Sequence, residues 1–397
     1  MASLSDEEKD ALLFKVRQAL SETPYACSSL VQLTNGTTNF VFRGQLAKPI
    51  FDETTGNAAS TMIVKHSLEH AALNKNLPID ASRALYEASM LDALNNLSSV
   101  ISDVKTPRLH LFIKDTNILV LEDFAATVDL KCLLVSPNAN SILTPPLTAS
   151  IGHDIGSWLR SFHDWSISSN SRLKHMGDND SMRNLKYAIT YDAYLKILEN
   201  HFPDLLESYR PLLEQVRSAA MKEFEKVSKD RGEDQNWGLI HGDFWTGNIL
   251  LPCDMSSPDT QLASSVKLFI VDWEFAQFGH RAYDIGQMIG DIYERGHFNG
   301  AEGAIPAIEG LIKGYGGLDN HDFAFRVAIH AGVHLIGWYI RRAPTAPLRF
   351  PLERVTDAMR IGRDWILNGW QKDKEYFKST PLALLFGDEQ IQRSPDN

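Results

Sequence analysis

The spacing of apolar residues changes character about a third of the way along the chain. Near the N-terminus, Ser5 and Glu8 read as a capping box that opens an amphipathic helix reaching about Leu20. Short β-prone runs follow at Ser28–Leu33 and Phe40–Leu46, and the turn-rich stretch from Thr34 to Asn39 reads as a hairpin connection between them. A polar loop, Asp52–Ser60, leads into a third strand, Thr61–Lys65. Residues 81–97 take a helical period, with Ala84, Ala88, Leu91 and Leu94 on one face. Two further strands, Arg108–Ile113 and Asn117–Leu121, flank a turn at Lys114–Thr116. This first part predicts a mostly antiparallel sheet with one inserted helix.

From Ile151 onward the period is chiefly helical, over 151–164, 182–200, 205–229, 282–295, 301–315, 319–343 and 352–371. The exception is a β-prone pair, Ile249–Leu251 and Val266–Val271, with a turn-rich insert between. Strand-rich first and helix-rich second predicts two lobes of α+β type. Ser166–Asn184 and the tail after Gly387 are polar and expected to be mobile. There is no internal repeat.

Composition narrows the classes. The 397 residues hold 39 Lys and Arg against 50 Asp and Glu, a formal charge of −11, which disfavours nucleic acid or an anionic membrane as partner. Residues 1–124 carry 11 basic and 15 acidic side chains, so neither part has a charged tail or basic face. Cys27, Cys132 and Cys253 are too far apart for a zinc site or a disulfide framework, and a reducing, cytoplasmic setting is expected. The N-terminus lacks the pattern of a signal peptide. The most apolar long segment, Ala324–Ile340, is broken by Arg326, His330 and His334 and reads as too short and polar to span a bilayer.

The chemistry concentrates in two segments. Leu239–Leu251 contains His241, Gly242, Asp243 and Asn248, and Leu268–Glu274 ends a strand in Asp272 and Glu274. A carboxylate and an amide five residues apart, with an acid after the next strand, is the spacing of phosphoryl transfer. One carboxylate orients the attacking hydroxyl, while the amide oxygen and the second carboxylate hold Mg²⁺ on the phosphates. An Asx-rich turn between buried strands would account for fewer of these residues. Phosphoryl transfer also asks the first lobe for a phosphate-covering loop, a strand lysine and a helix carboxylate. Asn35, Gly36 and Thr37 lie in the hairpin, Lys65 ends the third strand, and Glu87 sits on the apolar face of its helix, where an unpaired carboxylate would be costly. Lys65 is the cation that this arrangement predicts for it.

His241-Gly242-Asp243-x4-Asn248, Val271-Asp272-Trp273-Glu274 and Gly279-x4-Asp284-Ile285-Gly286 together resemble the aminoglycoside phosphotransferase and choline kinase superfamily, from about Leu33 to Trp370. Lys65-His66, Arg83-x2-Tyr86-Glu87 and Asp243-x-Trp245-x-Gly247-Asn248 look nearest to methylthioribose-kinase-like proteins and fungal 4-hydroxytryptamine kinase. The resemblance implies a two-lobed protein-kinase-like fold, with residues 1–124 as the N-lobe, a hinge at about 121–126, residues 127–387 as the C-lobe and 388–397 as a tail. It implies ATP in the cleft, Lys65 on the phosphates held by Glu87, and Glu122 and Phe124 beside adenine. Asp243 would be the catalytic base, Asn248, Asp272 and Glu274 metal ligands, and Asp284 a brace for the catalytic loop. Gly242 and Asp272-Trp273-Glu274 depart from the choline-kinase pattern.

Arg326, His330, His334 and Trp338 recur every four residues. His330 and His334 lack the Glu of a zincin helix, so the stripe reads either as polar packing or as a substrate wall. By family analogy Arg326, His330 and Trp338 are carried as acceptor contacts, and so is Trp245 beside Asp243. The function predicted is an ATP- and Mg²⁺-dependent kinase acting on a hydroxyl group of a small metabolite, with a hydroxylated aromatic amine or a thioribose-type sugar as candidate acceptors. The rival is a nucleotide-binding pseudokinase that regulates a partner.

Overall fold

The structure, a computed structural model, describes residues 4–34, 36–52, 57–95, 104–168, 173–225, 234–255, 266–316, 321–341 and 346–387. Asn35, residues 256–265 of the insert and the 388–397 tail lie outside the described residues. The first helix, Asp6–Leu20, opens on the expected capping box: Ser5 Oγ accepts the Glu8 N–H at 3.2 Å, and Glu8 Oε2 accepts that of Ser5 at 2.7 Å.

Among the described residues eight strands follow: β1 (Cys27–Leu33), β2 (Phe40–Asp52), β3 (Asn57–His66), β4 (His70–Ala71), β5 (Asn74–Pro78), β6 (Val104–Lys105), β7 (Leu109–Ile113) and β8 (Ile118–Glu122). Five of them form one antiparallel sheet in the order β1-β2-β3-β8-β7. Strand periodicity gives each face of this sheet its own helix. Ile118 and Val120 pack with Val64, Phe42 and the buried Leu12, Val16 and Leu20 of the first helix. Leu119 and Leu121 join Ala84, Ala88 and Leu91 of the Arg83–Leu94 helix on the other side. Lys65, next to Val64 and paired in register with Leu119, therefore points to this second face.

Of the polar stretch 52–60, expected as a loop, the described residues 52 and 57–60 are strand: Ile50, Phe51 and Asp52 pair with Ala59, Ala58 and Asn57. It is an extension of the sheet whose residues 58–60 are exposed, so no apolar alternation marks it.

Five short strands serve the second part: β9 (Thr127–Asp129), β10 (Trp237–Ile240), β11 (Ile249–Pro252), β12 (Leu268–Ile270) and β13 (Gln277–His280). β6, β12, β11 and β9 make one small sheet, and β10 pairs with β13. The chain from Ile240 to Ile249 is thus anchored at both ends by strands. The remaining frame is helical, with long elements at Pro145–Ser168, Arg210–Glu225, Ala282–Asn299, Ala304–Tyr315, His321–Gly337 and Leu352–Trp370. The helix expected over 182–200 is Asp180–Tyr187 and Ala193–His201 joined by a π-type turn.

Two expectations change. Within Ser166–Asn184, expected to be mobile, Leu173, Met176 and Asn179 are buried, and the Asn179 amide donates to the Ala276 carbonyl at 2.9 Å. The Asn179 side chain is polar here because it satisfies backbone carbonyls. The segment His321–Arg341 is, by length and hydropathy, long and apolar enough to cross a bilayer, contrary to the sequence reading, but 89% of its apolar window is buried inside the protein. The outcome is a first part built on an antiparallel sheet and a mainly helical second part, the α+β arrangement that the sequence predicted.

Candidate active site

The Leu239–Leu251 segment turns sharply because of Gly242, whose φ is +80° and at which a Cβ would lie 2.2 Å from the Phe275 carbonyl oxygen. Only glycine fits that approach. Asp284, at the start of the Ala282–Asn299 helix, accepts the N–H groups of His241 at 2.8 Å and Gly242 at 3.0 Å and meets His163 Nε2 at 3.2 Å. Burial opposes its charge, but the hydrogen bonds from His163 and His241 hold the carboxyl below its usual range. His241, kept neutral by burial, places Nδ1 3.3 Å from the Asp243 N–H and Nε2 3.1 Å from the Val271 carbonyl, which joins the loop to the strand before Asp272.

Asp243 is held from three directions. Its Oδ1 accepts from Gln287 Nε2 at 2.6 Å, and its Oδ2 from Trp245 Nε1 at 3.1 Å and, more distantly, Asn248 Nδ2 at 3.4 Å. Asn248 also donates Nδ2 to the Asp243 carbonyl at 2.9 Å. Across from this loop, Lys65 Nζ lies 2.7 Å from Glu87 and 2.6 Å from Asp272 Oδ1. Burial works against the Lys65 charge, and Asp272 and Glu87 outweigh it, holding the ammonium above its ordinary range. Asp272 adopts φ +71°, a left-handed conformation unusual for a non-glycine residue. Its carboxyl is held below its usual range, chiefly by Lys65 working against burial.

The donor set suits a hard cation. The hydrogen bonds above use Nδ2 of Asn248 and Oδ1 of Asp272, which leaves an oxygen of each, and the Asp272 side chain is 33% exposed where Lys65 and Glu87 are 6% and 1%.

Glu274 departs from its expected role as a metal ligand. Both its oxygens are engaged: Thr38 Oγ1 donates to Oε1, while Asn39 Nδ2 at 2.7 Å and Arg83 Nε at 2.9 Å donate to Oε2. Glu274 instead ties the loop after Gly36 and Thr37 to the Asp272 segment. Arg326 and His330 are likewise buried in packing: Arg326 pairs with Glu223 and lies over the Tyr191 and Tyr283 rings, while His330 Nδ1 meets Tyr191 Oη at 3.1 Å. Trp338 stacks on Phe298, with centroids 4.4 Å apart. These three belong to the polar packing stripe. Trp245 is half-buried, with Lys131 Nζ 5.1 Å from its ring centroid.

The hinge residues sit where β8 ends. The Glu122 carboxylate accepts the Arg108 N–H at 3.2 Å, and Phe124 stacks on Phe269 with centroids 4.1 Å apart. The sequence reading gave no role to Arg83, His163 and Gln287. Gln287 follows Asp284 by three residues and Arg83 precedes Glu87 by four, so helical spacing was the available signal.

Residues 53–324 match the family model described as the phosphotransferase enzyme family. The chain is 29% identical to the phosphotransferase FrzJ of Cladobotryum sp over 96% of this chain and 98% of that protein. It is 22% identical to the 4-hydroxytryptamine kinase of Psilocybe cubensis, covering 78% of this chain and 80% of that one. It is 24% identical to the methylthioribose kinase of Bacillus velezensis, over 73% and 66%.

Proposed function

The chain belongs to the phosphotransferase enzyme family, and from that membership and the geometry of the cleft we propose an ATP- and Mg²⁺-dependent kinase that phosphorylates a hydroxyl group of a small metabolite. The observation that carries this reading is the convergence of Lys65, Glu87 and Asp272 opposite the Asp243–Asn248 loop. In it, residues 1–124 and 127–387 act as two lobes around the nucleotide, with Glu122 and Phe124 at the adenine end and Gly36 and Thr37 over the phosphates.

Asp243, oriented by Trp245 and Gln287, takes or directs the proton of the attacking hydroxyl. Lys65, aimed by Glu87, neutralises negative charge on the phosphates. Asn248 and Asp272 would hold Mg²⁺, which supplies Lewis-acid stabilisation of the transferred group when bound. Positioning and electrostatics carry the rate, with no covalent enzyme intermediate.

The acceptor belongs, on this reading, to the hydroxylated aromatic amines or thioribose-type sugars. The 4-hydroxytryptamine and methylthioribose kinases among the relatives support both, and the Trp245 ring beside Asp243 supports a flat acceptor. The pseudokinase alternative has no feature in its favour, since every group required for transfer is present. A cytoplasmic setting belongs to the same reading.

The test is ADP release from Mg·ATP across a panel of hydroxylated aromatic amines and thioribose-type sugars. Acceptor-dependent turnover that vanishes in Asp243→Ala, with ATP binding retained, supports the reading; turnover surviving that change overturns it. Asp272→Ala should weaken Mg·ATP binding in titrations with and without Mg²⁺.

A further inference from the structure

On the reading of Asp243 as the group that takes the acceptor proton, we propose that Lys186 and Gln287 form a buried relay that fixes the orientation of the Asp243 carboxylate, Lys186 acting as a positioning residue through the Gln287 amide.

The argument starts from the amide. The two ends of a glutamine amide are nearly the same size, so its neighbours decide which end faces where. Gln287 has Asp243 Oδ1 at one end, 2.6 Å from Nε2, and the Lys186 ammonium at the other, donating to Oε1. An ammonium has donors only. While Lys186 is charged, Gln287 must therefore keep its oxygen toward Lys186 and its NH₂ toward Asp243. Without that cation the amide is free to turn its oxygen toward the carboxylate, where the two would repel.

Burial shows that this is no surface accident. Lys186 and Gln287 are 2% and 3% exposed, and Gln287 is the one hydrogen-bond acceptor of the ammonium among the described residues. Burying a charge without a paired carboxylate is costly, and methionine would fill the same space without that cost. The placement is also economical in structure. Asp284 and Gln287 are three apart on the Ala282–Asn299 helix, so one helix face holds the backbone of the catalytic loop through the first and its carboxylate through the second. Lys186 comes from a different helix, Asp180–Tyr187, and joins the two.

The charged surroundings of Lys186 fit the role. Burial lowers its pKa to about 8, opposed by Asp243 and Asp284 and assisted by Arg341. His330 and His334, from the His321–Gly337 helix, feel its charge and are both kept neutral by burial first. Lys186 is therefore cationic at neutral pH and discharges as pH rises through about 8.

The test uses the full chain with Mg·ATP and water as acceptor, read as ADP release, in Lys186→Met, Gln287→Met, the double variant and Lys186→Arg. We expect each Met variant to lose roughly 10- to 100-fold in kcat with the KM for ATP within about twofold, a loss of the size seen when an outer partner of a catalytic group is removed. Because the two act in series, the double variant should be no slower than Gln287→Met. Wild-type kcat should fall above about pH 8, and Lys186→Arg should recover part of the lost rate without that alkaline limb. Thermal midpoints of all variants separate misfolding from misplacement. Unchanged kcat in folded Lys186→Met, or losses that multiply in the double variant, would overturn the relay. Asp243→Ala run alongside keeps the two claims apart: activity surviving there sinks the kinase reading, whereas its loss beside a fully active Lys186→Met sinks the relay alone.

Discussion

The carboxylate of Asp284 takes the backbone N–H of Gly242 at 3.0 Å, and the adjacent N–H of His241 at 2.8 Å, so a helix start holds the catalytic loop by its main chain. Both contacts are buried, and removing the acceptor leaves two N–H groups without water or partner. Asp284→Ala should cost about 3 kcal/mol of stability, as expected for a buried hydrogen-bonded charge that is lost. It should also lower kcat by about 100-fold through the displaced Asp243. Urea unfolding beside ADP release would check it, and a stable, fully active variant would contradict it.

Gly242→Ala attacks the same loop through geometry alone. A side chain at φ +80° is strained, and its Cβ would lie 2.2 Å from the Phe275 carbonyl oxygen, an atom of backbone that cannot rotate away. The loop must shift, carrying Asp243 with it. We expect kcat to fall by at least about 100-fold, since misplacing a reacting group by an ångström is enough for that. Affinity for metal-free ATP, which on the proposed reading rests on Lys65 and the loop at Gly36 and Thr37, should be held within about threefold, and calorimetric titration with ATP would measure it.

The tie between Asn39 and Glu274 links the loop after Gly36 and Thr37, proposed above to cover the phosphates, to the Asp272 segment. Asn39 Oδ1 also accepts from Ser67 Oγ at 2.8 Å and Arg83 Nε at 3.1 Å. Asn39→Ala removes one of the loop's two ties to Glu274, leaving that of Thr38 and the Arg83–Glu274 pair standing. The expected outcome is a KM for Mg·ATP raised about tenfold, the worth of one hydrogen bond to a charged group, with kcat changed less than about threefold. A fall in kcat at constant KM would show that the tie serves the chemical step instead.

How much of this was legible in the sequence depended on whether a residue acts through its type or through its neighbours. Asp243, Asn248 and Asp272 stood out because acids and amides at fixed spacing around short strands have few bland explanations. Glu87 stood out because a carboxylate on an apolar helix face demands a cation, and Lys65 meets it at 2.7 Å. Glu274 misled for the same reason: its type suits a metal, and nothing local announces that Arg83, more than 190 positions earlier, claims it. Arg326 and His330 misled because a four-residue polar period is the same for a pocket wall and for a buried network. Lys186 was invisible, an ordinary helix residue until the fold brings it to Gln287, for which the three-residue spacing from Asp284 was a faint signal. The short strands β9, β10 and β13, of three or four residues, were missed because so few positions carry no readable alternation.

Buried histidines set the acid limit of the fold. His66, His163, His241, His330 and His334 are all pushed below the usual imidazole range, burial being the largest cause in each, with His66 at about 4 and His334 at about 3. A histidine kept neutral in the fold but protonated when unfolded contributes stability that is present above its unfolded pKa, near 6.5, and is lost as pH falls toward its folded value. Glu87 and Glu294, raised to about 7 by burial, and Glu274, raised for the same reason, act in the opposite sense: they bind protons more readily in the fold and gain stability as pH falls toward 4.5. The depressed histidines outweigh the raised carboxyls, so the unfolded chain binds more protons between pH 6.5 and 4.5 and stability falls with pH in that window. Below about 3.8 the carboxyls of Asp272, Asp284 and Asp291, all held below their usual range against the cost of burial, add to the loss as they protonate. The urea midpoint should therefore be flat from pH 8 to 7, fall gradually below 6.5 and steeply below about 3.8. His66→Gln, which cannot titrate, should flatten the first decline, and a midpoint that rises from pH 7 to 5, as the raised carboxyls alone would give, would show that the histidines titrate normally in the fold.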